Sequence, residues 1–535
     1  MLHAVSHCVL EIAFTSDRLY ANPLVEAELD AIITGPDGAE RTVPCFWAGD
    51  DAWKLRFAPE AAGTYQYRTV CTDADNAGLN GRSGTLEASP YTGDNPLLAH
   101  GRLRAADDRT HMTHADGTPF FWLGDTWWFG LCRRMGWPEE FQQFAARRVR
   151  QGFNVVQVVA GLYPDVPTDF DPRGANEAGY PLSDDFSAVN PAYFDMADLR
   201  IAHLVRAALV PVIVGAWGFW LPVLGAETMR RFWRYLVARW GALPVVWCLA
   251  GEGNMPFYLS RTRDADSQRQ REGWSRIAAY VRQIDGHRNP IAIHPDHFGR
   301  QQVNDPTLLD MDFLQTGHSG YRDVPNVVEF TRRSVAAEPR MPVLVDEANY
   351  EGILGHAWQD VQRNSFWMAV LSGSCGFTYG ANGIWQVNRP SEPFGPSPHG
   401  NSWGDTPWQD ADRLAGADQV GLGARFLRTL EWWGIEPHDD WVADAWSREN
   451  CGGSLAAGIP GRLRLVYNPL PRWDPPQLTN LPAGVAWRAS WFDPIGGGQI
   501  DAGLAEPDEN GCWTPPRPRV MHDWVLVLQA VEPAS

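Results

Sequence analysis

A (β/α)8 barrel with a β-sandwich at each end is the α/β fold this 535-residue sequence predicts. Three observations predict it. Period-2 stretches broken by turns fill residues 1–95 and return after residue 436. Between them, short apolar runs alternate with amphipathic helical stretches, the grammar of parallel strands joined by helical crossovers. Eight such runs can be counted, the number that closes a barrel.

In residues 1–95 the alternation is clear in Val25-Glu26-Ala27-Glu28-Leu29, Trp53-Lys54-Leu55-Arg56-Phe57 and Gly63-Thr64-Tyr65-Gln66-Tyr67-Arg68. Gly35-Pro36-Asp37-Gly38 marks a turn, and short strands at this spacing predict an N-terminal β-sandwich. The segment 89–96, rich in Pro, Gly, Asp and Asn, reads as a linker. Residues 96–435 hold the predicted barrel strands, at 120–124, 153–159, 209–214, 245–250, 291–294, 311–315, 343–346 and 375–379. Helical stretches at 138–150, 192–208 and 227–240 lie between them, and long inserts at 160–190 and 380–410 should rim the active-site face. Residues 436–535 regain β character in Arg462-Leu463-Arg464-Leu465-Val466-Tyr467 and Trp524-Val525-Leu526-Val527-Leu528, which predicts a C-terminal β-sandwich. Covering the barrel is as good a role for these flanks as binding glycan.

Composition narrows the function classes. With 45 basic and 64 acidic residues, the net charge is −19 and the acids are dispersed. Nucleic acid and anionic membranes need a basic patch, so neither is an expected partner. No run is long enough to span a membrane, and Met1–Phe14 already contains His3, His7, Cys8 and Glu11, unlike a secretory leader. The expected address is cytoplasmic by default, with secretion or a periplasmic location left open if a leader is removed. The eight cysteines are scattered and form no C-x-x-C pair, so a zinc site or a disulfide framework is not expected. The 26 tryptophans stand out, many beside Gly, Asp or Asn at strand ends. There an indole face can pack on the C–H face of a sugar while its neighbours bind hydroxyls.

The strand exits carry the chemistry. Val245-Val246-Trp247-Cys248-Leu249-Ala250-Gly251 ends in Glu252, and Met341-Pro342-Val343-Leu344-Val345-Asp346 ends in Glu347. Two carboxylates across one pocket are the minimum for cleaving a glycosidic bond. One must hold a proton, which an apolar setting favours, while the other must stay ionised. Asp125, Trp127, Trp128, Gln157, Trp217, Asn254, His294, Gln315, His318, Tyr379 and Trp385 are the expected substrate-binding residues around them. Alternatives accompany both acids. Glu252 could cap a loop, and Asp346 and Glu351 compete with Glu347, since strand alternation lets only one of Asp346 and Glu347 face the pocket. Asp125 could instead fix a loop. His294, Asp296, His297 and His318 lack a recognised ligand spacing, so no metal and no cofactor are expected.

Several stretches in barrel order resemble the apiosidase-like glycoside hydrolases, of the clan with its acid/base on strand 4 and its nucleophile on strand 7. They include Phe121-Trp122-Leu123-Gly124-Asp125-Thr126-Trp127-Trp128, Gln151-Gly152-Phe153-Asn154-Val155-Val156-Gln157 and Tyr193-Phe194-Asp195-Met196-Ala197-Asp198. Val246–Glu252, Asp346–Gly352 and Tyr379-Gly380-Ala381-Asn382-Gly383-Ile384-Trp385 complete the set. The resemblance implies that Glu252 is the acid/base, Glu347 the nucleophile, and the outcome retention. Two positions depart from the pattern. Characterised apiosidases carry Asp where this chain has Glu252, and the wider clan carries Asn where Gly251 stands, so apiose specificity is not implied. The expected activity is an exo-acting retaining glycoside hydrolase on a plant or microbial glycan. A barrel that binds sugar without cleaving it is the rival reading. The sugar, the linkage and the oligomeric state are not legible.

Overall fold

The computed structural model describes residues 2–169, 171–471 and 473–531; residues 1, 170, 472 and 532–535 of the expected segments lie outside them. Eight parallel strands form the central sheet: Trp122–Thr126, Val155–Val159, Val210–Val214, Val246–Cys248, Ile291–Ala292, Asp312–Gln315, Val343–Glu347 and Gly376–Tyr379. They follow one another around the barrel, the first pairing with both the second and the eighth. The fifth and sixth are not laddered together. Asp310 bridges the gap, its backbone N–H donating to the Ile291 carbonyl at 2.8 Å and its carboxylate accepting from the Ile291 N–H at 2.8 Å. The barrel is therefore nearly closed.

The local causes match the sequence pattern. Every residue of Val155–Val159 and Val210–Val214 is buried, as parallel strands covered on both faces require. Helices Glu139–Gln151, Pro191–Arg206 and Ala226–Trp240 coincide with the predicted helical stretches to within two residues at each end. The second starts at Asn190, whose side chain accepts from the Ala192 N–H, with Pro191 in the first turn where its missing N–H is harmless. Among the described residues, no helix is long and apolar enough to cross a membrane.

At the N-terminal end a five-stranded sheet (Leu2–Val5, Ser83–Ser89, Gly63–Cys71, Leu29–Thr34 and Glu40–Pro44) packs against a three-stranded one (Leu10–Thr15, Ala52–Phe57 and Phe46–Gly49). Leu29, Ile33, Leu55, Phe57 and Leu86 form the core between them. Arg56 joins this layer to the barrel through Asp198 at 2.6 Å. At the C-terminal end one six-stranded antiparallel sheet runs from Glu436–Pro437 to Trp524–Ala530. Its alternation splits cleanly: Leu465, Tyr467 and Val525 pack on the barrel, while Val466, Leu526 and Leu528 face an outer core. That outer side is closed by single bridges such as Val442 to Leu478 and Leu478 to Trp513, so the second layer of the expected sandwich is irregular.

A buried ion pair fastens this sheet to the barrel. Arg363, on helix Gln359–Leu371, binds Asp523 through two 2.7 Å hydrogen bonds, and the Tyr467 hydroxyl donates to Asp523 at 2.9 Å. Breaking a buried pair strands the other charge. Asp523→Ala should therefore lower the unfolding free energy in urea by about 3 kcal/mol. Arg448→Ala, at the exposed pair with Glu329, should change it by less than about 1 kcal/mol. Equal effects would contradict the fastening role.

Candidate functional site

The site is built from a register shift. The sixth and seventh strands pair Leu314 with Val345 and then Gln315 with Glu347, skipping Asp346. A bulge of this kind breaks the period-2 alternation. Asp346 and Glu347 are thus both turned into the barrel. Asp346 is fully buried and receives hydrogen bonds from Gln157, from the Thr378 hydroxyl at 3.2 Å and from His294 Nδ1 at 2.8 Å. Glu347 lies at the mouth. Its Oε1 accepts from Gln315 at 2.9 Å and from His318 at 2.7 Å, and its Oε2 accepts from the Tyr350 hydroxyl.

His294 stands between these acids, with Nε2 3.4 Å from Glu347 Oε2 and without a hydrogen-bond partner of its own. Burial pulls its pKa down, but the Asp346 hydrogen bond and the surrounding carboxylate charges outweigh that and lift it to about 9. Burial likewise opposes ionisation of Glu347; the charge of His294 and the donors His318 and Tyr350 outweigh it and hold this carboxyl below the ordinary glutamate range. Glu252 has the reverse balance. Burial, then the negative charge of Glu347, pushes its pKa up to about 7, against the Trp217 indole N–H, which donates to Oε2 at 2.9 Å. The Gln315 amide also lies 3.5 Å from Glu252 Oε1. One amide nitrogen therefore touches both carboxyls, at 3.5 and 2.9 Å. The nearest oxygens of the two acids are no further apart than those two arms laid end to end.

A cavity of about 230 Å3 opens over the pair, lined by Glu252, Glu347, Trp128, Trp217, Trp385 and Tyr350 among others. Trp128 supports it twice, donating to the Tyr350 hydroxyl at 3.1 Å and meeting the Trp217 ring edge-on at 5.4 Å. Trp217 also accounts for Gly251. A Cβ on Gly251 would lie 2.1 Å from the Trp217 ring, so the indole occupies the space that a side chain before the acid would need. Glu252 itself has φ +45°, a left-handed conformation that costs a non-glycine residue roughly 1–3 kcal/mol and turns its carboxyl towards the mouth.

Of the residues expected to bind substrate, Trp128, Trp217, His318 and Trp385 line the cavity. Gln315 and His294 stand behind the acids. Gln157 lies deeper, on Asp346. Asp125, Trp127 and Tyr379 are corrections: they face away from the axis. Asp125 pairs with Tyr379 in the ladder between the first and eighth strands, so the two share a face, and that face meets the surrounding helices. Asp125 accepts from Trp127 Nε1 at 2.7 Å and Arg148 Nε at 2.6 Å, and Tyr379 donates to Glu351 at 2.6 Å. Trp127 stacks on Phe144 with centroids 4.4 Å apart. Glu351 is likewise outside, accepting from the Gly416 N–H at 3.0 Å. Asn254 does not line the cavity. It ties its own loop down, donating to the Gln301 carbonyl at 3.1 Å. The His294–His297 stretch splits as well, because the His297 side chain is 60% exposed. The cavity also takes Asp165, Tyr258, Met255, Tyr350, His399 and Trp403 from loops, residues not expected from strand exits.

Comparison with known proteins agrees with this architecture. The family profile described as "Apiosidase-like, catalytic domain" matches residues 106–434, and a domain family of unknown function, DUF5060, matches residues 6–72. A glycoside hydrolase family 5 protein from Bacteroides vulgatus ATCC 8482 is 22% identical over 82% of this chain and 94% of its own, with a TM-score of 0.68. A second solved chain from that bacterium is 18% identical over 99% of this chain and 100% of its own, with a TM-score of 0.71. At these identities the likeness is one of fold. No curated protein matches the chain.

The fit of Trp217 over Gly251 is directly testable. Gly251→Ala should displace the indole and destabilise the protein by about 1–3 kcal/mol, seen as a lower melting temperature. A variant as stable as the parent would contradict this packing.

Proposed function

Because the chain belongs to the apiosidase-like family, we propose that it is an exo-acting, retaining glycoside hydrolase working without a metal. Glu252 is the acid/base and Glu347 the nucleophile. The observation that carries this reading is the opposite protonation preference of the two acids, one pushed up to about 7 and the other held low. Such a split is what double displacement requires at neutral pH.

In the first step the Glu347 carboxylate attacks the anomeric carbon as Glu252 gives its proton to the departing glycosidic oxygen. The C–O bond breaks, the alcohol leaves, and a glycosyl ester on Glu347 remains. In the second step Glu252, now a carboxylate, takes a proton from water as the water oxygen attacks the same carbon and releases Glu347. Retention is the outcome that the clan resemblance implies, and the shared Gln315 amide, 3.5 Å from Glu252 and 2.9 Å from Glu347, holds the two carboxyls at one mouth. The small cavity, walled by loops after the second and eighth strands, supports action at a chain end. The substrate is a carbohydrate, for which the tryptophans of the cavity wall supply apolar faces. The rival reading, binding without cleavage, gives no role to a protonated Glu252 beside an ionised Glu347.

The rate should trace a bell against pH. Activity falls on the alkaline side with a midpoint of about 7, as Glu252 loses its proton, and on the acid side below the ordinary glutamate range, as Glu347 gains one. Glu347→Gln should cost at least about a thousandfold in kcat while the melting temperature stays within a few degrees. Glu252→Ala should lose about 100- to 10,000-fold on substrates with poor leaving groups and far less on activated aryl glycosides, which need little protonation. A screen of aryl glycosides and plant oligosaccharides with these variants side by side tests the assignment. Full activity of Glu347→Gln would overturn it.

A further inference from the structure

The cavity holds a third carboxylate, Asp165, for which double displacement has no use. Asp165 follows the second barrel strand, has φ +53° and is 8% exposed. The long loop after the eighth strand reaches across the mouth to hold it. The Ser397 hydroxyl donates to Asp165 Oδ1, and the Trp403 indole N–H lies 3.5 Å from the same oxygen and 3.0 Å from Ser397 Oγ. Tyr258, stacked on His399 at 5.0 Å, accepts the Asp165 backbone N–H at 3.3 Å.

This arrangement is unusual for a buried acid. Burial raises the Asp165 pKa, Ser397, Trp403 and the Tyr258 hydroxyl favour its ionised form, and together they leave part of a carboxylate's roughly four acceptor sites unused. Burying one without a cation is costly unless something else compensates. No arginine or lysine is among the described residues lining the cavity, whereas Asp165, Glu252 and Glu347 all are. The site is thus rich in acceptors and edged with aromatic faces, and the charged His294 behind Glu347 is already matched by Asp346 and Glu347. Sugar hydroxyls satisfy such a wall, and an anionic sugar is repelled by it.

Resting on the glycosidase reading, we propose that Asp165 accepts a hydroxyl of the bound saccharide and, with the ionised Glu347, restricts the site to neutral sugars. Ser397 and Trp403 are its positioning residues. The hydroxyl belongs either to the sugar retained on Glu347 or to the one that leaves, and substrate variation separates the two.

The test compares wild type with Asp165→Asn, which keeps an acceptor for Ser397 and Trp403. The substrates are aryl glycosides of neutral sugars, their monodeoxy analogues, matching disaccharides and the corresponding uronides. Wild type should turn over uronides at least about a hundredfold less well than their neutral parents. Asp165→Asn should lose about 10- to 100-fold in kcat/KM on the preferred neutral substrate. If the hydroxyl is on the retained sugar, the loss vanishes for one monodeoxy glycoside. If it is on the leaving sugar, the loss is confined to disaccharides. The variant should also move the alkaline limb of the pH profile down, because the Asp165 charge helps Glu252 keep its proton. Equal loss on every substrate, no loss at all, or good uronide turnover would overturn the proposal. Should wild type bind these sugars without cleaving them, the hydrolase reading fails. The same comparison then reads Asp165 through Kd by calorimetry, and no sugar binding overturns both.

Discussion

The His294 imidazole lies between two carboxylates, Asp346 at 2.8 Å from Nδ1 and Glu347 at 3.4 Å from Nε2, and the electrostatics of the mouth follow from that placement. Asp346 is out of reach of the cavity, so its task is to keep the ring charged and oriented. A charged ring in a desolvated place favours the ionised form of Glu347. An ionised Glu347 in turn favours the protonated form of Glu252. The neighbouring charges thus bias His294 towards its charged form, Glu347 towards ionisation and Glu252 towards protonation, and the two acids reach the cavity with opposite preferences.

Backbone irregularities make this possible. The register shift between the sixth and seventh strands lets adjacent acids share the barrel interior, one below His294 and one beside it. The left-handed turn at Glu252 and the bare Cα of Gly251 let the Trp217 indole lie against the chain and hold the second acid. These features sit at the C-terminal ends of the strands, where a barrel tolerates local strain because the ladder beneath is regular. Trp217 thereby fills the space that any side chain at position 251 would need.

The barrel was legible in the sequence because strands buried on both faces leave unbroken apolar runs, and Val155–Val159 or Val210–Val214 can hardly be read otherwise. Glu252 and Glu347 were legible because a charge at the end of such a run is conspicuous. The phase of each strand was not. Asp125 and Tyr379 close their strands just as the glutamates do, yet alternation turns them outward onto Arg148 and Glu351. The bulge that brings Asp346 and Glu347 to one side leaves no mark in composition, so strict alternation forced a choice the protein does not make. Asp165, Tyr258, His399 and Trp403 come from loops, where no periodicity says which side chains meet. The C-terminal strands were visible as alternating runs, but not the irregularity of the layer that closes them.

The central claim is that one set of buried charges keeps Glu252 protonated and Glu347 ionised. Infrared difference titration tests this without knowledge of the sugar. Subtracting Glu252→Gln from wild type should isolate a protonated carboxyl band that disappears with a midpoint of about 7, and in Glu347→Gln that midpoint should fall because the neighbouring negative charge is gone. No band titrating near neutrality, or a midpoint unmoved by Glu347→Gln, would contradict the account.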